Sequence, residues 1–78
     1  MNNFHQVGPG GHLAMSRVVA VGRWDSAPIR RLTRQARKDG RLIDLTYGRA
    51  CYWVFFMDSG HVVLGTQSNS LEESEVEI

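Results

Sequence analysis

The stretch Ala50-Cys51-Tyr52-Trp53-Val54-Phe55-Phe56-Met57 constrains the fold more than any other. Its aromatic and aliphatic residues predict a strand, in which successive side chains point to opposite faces. Cys51, Trp53, Phe55 and Met57 then share one face, and Tyr52, Val54 and Phe56 share the other. A strand that is apolar on both sides is covered on both sides. The remaining chain offers one short helix, which covers one side only. The simplest cover for the second side is another copy of the chain.

That helix has a legible start and stop. Asp25 or Ser26 can accept hydrogen bonds from the free N–H groups of a first turn, and Pro28 is tolerated there. The helix is expected to run to about Lys38, with Gly40 as its left-handed stop and Arg37 and Lys38 on the last carbonyls. Ile29, Leu32, Thr33 and Ala36 form its narrow apolar face, and Arg30, Arg31, Arg34, Arg37 and Lys38 fill the arc opposite. Before the helix, strands are expected near Phe4 to Val7 and from Leu13 to Val21, joined by the turn Gly8-Pro9-Gly10-Gly11. After it come Leu42 to Thr46, a Tyr47-Gly48-Arg49 turn, the two-faced strand, an Asp58-Ser59-Gly60 turn and a last strand from His61 to Gly65. The order is ββαβββ: a single small α+β domain with a mostly antiparallel sheet packed on one helix. The domain is expected over residues 1–67, with an acidic, disordered tail over 68–78.

Size and cysteine content limit what else supports such a domain. The 78 residues make one domain, and the lone Cys51 excludes an internal disulfide or a Cys-rich zinc site. Small domains usually add a disulfide, a metal or self-association, and the third is the one left open. The longest apolar run, Cys51 to Met57, is too short to span a membrane, so a soluble cytoplasmic protein is expected.

Net charge is +1, yet all nine cations, eight of them Arg, lie between Arg17 and Arg49. Only Asp25, Asp39 and Asp44 oppose them there, which leaves that segment at +6. Glu72, Glu73, Glu75 and Glu77 crowd the other end of the chain. A basic body with an acidic tail fits a polyanion-binding protein. Within the expected strand from Leu13 to Val21, Arg17 interrupts an apolar row of Leu13, Met15, Val19 and Val21. It either pairs with a carboxylate or sits at a rim, or else this face meets a polyanion or a neighbouring subunit.

Catalytic and cofactor chemistry is hard to find. Asp58, Ser59 and His61 sit in one tight turn, whereas a nucleophile relay needs side chains converging from separate elements. His5, His12, Cys51 and His61 lack metal-ligand spacing. Gly8-x-Gly10-Gly11 precedes a strand and not a helix, so it does not read as a phosphate loop. No catalysis, cofactor, metal or small-molecule substrate is expected.

Several blocks together resemble one family. They are Ser16-Arg17-Val18-Val19, Asp25-Ser26-Ala27-Pro28-Ile29 with Arg31, Ala36-Arg37, Gly40, Leu42-Ile43-Asp44, Thr46, Gly48-Arg49 and Asp58-Ser59-Gly60-His61-Val62-Val63-Leu64. In these blocks the chain resembles the RemA family of small bacterial DNA-binding regulators of extracellular matrix, over about Phe4 to Gly65. The resemblance implies a ring-shaped homo-oligomer with a LytTR-like fold that presents basic residues to DNA. By that resemblance Arg17 and Arg49 match DNA-contacting arginines. Ala50 stands where the family has a second arginine, Tyr52 where it has a basic residue, and Trp53 where it has an aliphatic one. Pro9, Gly11 and His12 also depart from the usual N-terminal turn.

The resulting expectation is an oligomeric DNA-binding regulator. Arg17 and Arg49 would grip phosphates, helped by Arg30, Arg31 and Arg34 on the helix. The helix cations have a structural or interface use as their alternative. Tyr52 and Trp53 either pack in the core or an interface, or stack on unpaired bases. A protein-interaction ring without DNA binding, or an RNA or single-strand binder, are the competing functions.

Overall fold

A computed structural model describes residues 4–66. The expected tail over 68–78 lies outside the described residues. The helix forms where local chemistry directs it. Strand-like Ser26 is the N-cap of α1 (Ala27–Lys38), Pro28 occupies the first turn, and Arg30 N donates to the Ser26 carbonyl at 2.9 Å. The expected side-chain cap is not made: Ser26 forms no capping hydrogen bond, and the Asp25 carboxylate accepts from Arg23. At the other end Gly40 adopts φ 73°, Arg41 N donates to Ala36 O at 2.9 Å, and Gly40 N donates to Arg37 O at 3.3 Å. These two bonds are a Schellman cap, which satisfies carbonyls the helix would otherwise leave open.

The strands are β1 (Phe4–Gly8), β2 (Gly11–Ala14), β3 (Val18–Arg23), β4 (Leu42–Asp44), β5 (Trp53–Met57) and β6 (Val62–Gly65). β1 and β2 form an antiparallel hairpin, and the other four make a sheet in the order β3-β5-β6-β4. All pairings are antiparallel except β4 with β6, which is parallel. The domain is α+β, with one α-helix and mostly antiparallel pairing among the described residues.

The expected strand from Leu13 to Val21 is two strands. A 3₁₀ turn at Met15–Arg17 ends β2 and starts β3, so Arg17 leaves the row of alternating side chains. Val19 is then bulged: Val18 pairs with Met57 and Ala20 with Phe56, which leaves Val19 without an opposite residue and 69% exposed. The two-faced strand is also shorter than expected. Residues 50–52 precede it as irregular chain, and Cys51 turns to the helix side.

Both faces of β5 are covered from within the chain. Val54 and Phe56 pack with Ala36, Val62, Leu64 and Ile29 beneath α1. On the far side Trp53, Phe55 and Met57 pack with Val7, Leu13, Met15, Val18, Leu45 and Val63. The cover is therefore the β1–β2 hairpin, where the sequence had suggested a second copy. Close backbone approach holds it down. Gly10 N donates to Leu45 O at 3.0 Å, and a Cβ on Gly8 would lie 2.2 Å from that carbonyl oxygen. Thr66 N closes the other end onto Val7 O at 2.7 Å. On α1, Leu32 stays 52% exposed although it belongs to the apolar stripe, and Ala36 is fully buried against the sheet.

Candidate functional site: an arginine surface at one end of the sheet

Arg17 and Arg49 are held at opposite ends of the sheet. Val18 pairs with Met57 at the end of β5, and Asp58 N donates to Arg17 O at 2.9 Å. Arg49 instead precedes the start of β5, where Trp53 pairs with both Arg23 and Gly65. The whole of β5 lies between them, about 13 Å at ~3.3 Å per residue.

Arg17 is engaged. Its Nε donates to Asp58 Oδ2 at 2.7 Å, and this bond raises the guanidinium pKa further. The pair is exposed on both sides, so solvent screens it and its contribution to stability is small. Asp58 is thereby committed to Arg17, while Ser59 Oγ lies 2.8 Å from His61 Nδ1 within the same exposed turn. Gly60, at φ 91°, supplies the reversal. Asp58, Ser59 and His61 shape a turn and do not converge on one point.

Two further arginines have structural partners. Arg23 pairs with Asp25 at 3.2 Å and lies over the Tyr52 ring at 5.3 Å. Arg41 pairs with Asp39 at 3.0 Å and donates to the Gly60 carbonyl, which ties the end of α1 to the β5–β6 turn. Tyr52 and Trp53 meet edge to face at 4.9 Å. Trp53 packs under the hairpin, and its indole Nε1 is buried without a hydrogen-bond acceptor among the described residues.

Among the described residues, no ion pair involves Arg30, Arg31, Arg34, Arg37 or Arg49. α1 starts near the end of β3, so its first turns lie at the same end of the sheet as Arg49. Arg30, Arg34 and Arg37, spaced to share a helix flank, wall a cleft of about 230 Å³ floored by Thr33, Cys51 and Leu64, with Trp24 beside them. Arg31, Arg34 and Lys38 line the neighbouring surface. Asp44 lies close enough to Arg37 for that guanidinium to help lower its pKa, so Arg37 is partly offset. Arg30, Arg31, Arg34 and Arg49 are the arginines left uncompensated among the described residues.

The turn carrying Arg49 is rigidly based. The Asp44 carboxylate accepts from the hydroxyl and then the N–H of Thr46, which hold its pKa below the usual carboxylate range. Thr46 is 4% exposed, and Arg49 N donates back to Thr46 O at 3.1 Å. Burial pushes the Cys51 thiol up, with Asp44 adding to the effect, so the thiol stays protonated at neutral pH. Among the described residues no group of three or more His, Cys, Asp or Glu is gathered to hold a metal ion. No helix there is long and apolar enough to cross a membrane.

Sequence reasoning picked out these arginines but not their grouping, in which Arg49 lies toward the helix cations and Arg17 stands apart. It also missed that Trp24 and Cys51 line the cleft, since neither stands in a motif.

The domain is small and α+β, with an arginine surface that meets few carboxylates among the described residues, and comparison with known proteins narrows the class. The family model for RemA-like proteins, described as extracellular matrix regulatory protein A-like, matches residues 4–73, and the chain belongs to that family. A relative in Dehalococcoides mccartyi, named for a regulatory role, is 50% identical over 58 residues, covering 74% of this chain and 60% of its own length. One from Geobacillus kaustophilus is 39% identical over 66 residues, covering 85% of this chain and 76% of the relative. One from Synechococcus is 50% identical over 58 residues, covering 74% and 65%. The chain thus spans about three-fifths of the Dehalococcoides relative. The residues behind the resemblance do point to the family they suggested.

Proposed function

We propose that this domain is a DNA-binding regulator that holds the phosphate backbone with the arginines at the Arg49 end of the sheet. The observation that carries this reading is the set Arg30, Arg31, Arg34 and Arg49, exposed and without carboxylate partners among the described residues. Charges left uncompensated on rigid elements favour a polyanion, whose condensed counterions are released on binding. The relatives are named for a regulatory role, which this reading accommodates. Arg17 is a second, weaker contact, because Asp58 already offsets its charge. Binding to duplex and single-stranded DNA at two salt concentrations tests the proposal. Salt-sensitive duplex binding, weakened in an Arg30→Ala/Arg34→Ala/Arg49→Ala variant, is expected; binding that ignores either change rejects it.

The domain also acts as a self-assembled unit in this reading. β3 and β4 are the two outer strands of the sheet, and they carry Val19, Val21 and Ile43 at 69%, 41% and 41% exposure. Different edges of one sheet pair head to tail, and repetition of such a contact closes a ring when the rotation allows. Several copies on one DNA would multiply a modest contact through avidity. Sedimentation at micromolar concentration is expected to give an oligomer that Val19→Lys and Ile43→Lys dissociate.

A further inference from the structure

Tyr47 is held in a backbone conformation that its own side chain disfavours. It is the one non-glycine residue with positive φ among the described residues, at 54°, and Gly48 follows at 85°. With Arg49 N bonded to Thr46 O, Thr46-Tyr47-Gly48-Arg49 is a turn with two left-handed central residues. Such mirror-image turns favour Asn-Gly or Gly-Gly, because a Cβ at positive φ crowds the backbone. Local turn chemistry would therefore select Asn or Gly at this position.

Among the described residues, no contact offsets that conformation. Tyr47 is 81% exposed, more than any other large apolar side chain described. It joins neither core cluster, and no ring contact among the described residues involves it. The base beneath it is stiff: Thr46 is buried and bonded twice to Asp44, and Leu45 N donates to Leu64 O at 3.1 Å. An aromatic ring is thus presented to solvent on a fixed support, two residues from an arginine that no carboxylate neutralises among the described residues. Strain retained at an exposed residue points outward, to something the ring touches when the domain is at work.

We propose that Tyr47 is a DNA-contacting residue, its ring packed on the sugar and base edge beside the phosphate held by Arg49. This rests on the DNA-binding reading above. Arg49 decides the chemistry of the partner, since a cation beside an aromatic face matches a phosphate joined to an apolar ring system. Arg49 carries the salt-dependent part of the contact, and Tyr47 carries a part that salt does not weaken.

The test compares wild type, Tyr47→Asn, Tyr47→Phe and Arg49→Ala in duplex binding across a salt series, with thermal melting and sedimentation on each. Tyr47→Asn is expected to melt at or above the wild-type temperature, because Asn accepts positive φ, while its duplex affinity falls about fivefold or more. Its salt slope stays at the wild-type value, whereas Arg49→Ala lowers the slope by about 0.9 for each phosphate no longer neutralised. Tyr47→Phe keeps most of the affinity. If Tyr47→Asn binds as wild type does while Arg49→Ala is weakened, the Tyr47 contact is wrong and the DNA-binding reading stands. If Tyr47→Asn loses affinity only by dissociating the oligomer, the ring serves a second copy of the chain and the proposal fails. If the wild type binds no duplex at all, both readings fall.

Discussion

Two arginines that look alike in sequence differ in what surrounds them. Arg17 follows a 3₁₀ turn and rests on Asp58, whereas Arg49 has no carboxylate neighbour of that kind among the described residues. Asp58→Asn is therefore expected to strengthen duplex binding, by up to about fivefold, the scale of one exposed ion pair. Arg17→Ala should weaken binding less than Arg49→Ala does, and a titration of the three variants at one salt concentration checks both. Asp44 makes a separate prediction. Its folded pKa lies below the ordinary carboxylate value because Thr46 donates to the ionised form. The associated stability is present above the unfolded pKa near 4 and is lost as pH falls through the lower folded value. Asp39, held down by Arg41 and Gln35, contributes in the same direction. Melting curves followed downward from about pH 5 should fall more steeply for wild type than for Asp44→Asn.

The helix was legible in the sequence because its signals are local. Pro28 in the first turn and Gly40 past the last each act within one turn of where they stand, though the side-chain cap expected of Asp25 or Ser26 is not made. The break at Met15–Arg17 and the bulge at Val19 were not legible, since the apolar row that Arg17 interrupts resumes at Val19 and Val21 as if the strand ran on. The parallel partner of β4 was hidden for a different reason. Leu42 to Asp44 and Val62 to Leu64 are joined by a crossover through β5, and pairing at such a distance leaves no local mark. The cover on the Trp53 face was missed because Val7 and Leu13 lie in segments too short to advertise a buried face. That hairpin carries its own test. Gly8→Ala would drive a Cβ into the Leu45 carbonyl, so the hairpin must lift or Leu45 must shift. A loss of about 1–3 kcal/mol is expected, the usual range for overpacking. Denaturant melts would show it, with Trp53 fluorescence moving toward that of an exposed indole.

At the scale of the whole molecule, the family and the arginine-rich character of the site could be read from residue blocks and charge placement. The site's geometry could not, because it depends on which end of β5 each arginine leaves from. That choice is set by sheet register: β5 runs from the Arg49 turn to the Asp58 turn, with α1 starting near the first. The result is a domain with cations uncompensated among the described residues toward one end and a compensated arginine at the other, framed by two outer strands bearing exposed aliphatic residues. The salt dependence of duplex binding tests this account most directly, measured for wild type and for Arg30→Ala/Arg34→Ala/Arg49→Ala. The slope of log affinity against log salt should lose about 0.9 in magnitude for each arginine that holds a phosphate. A triple variant with the wild-type slope, or a wild type whose affinity does not change with salt, would contradict it.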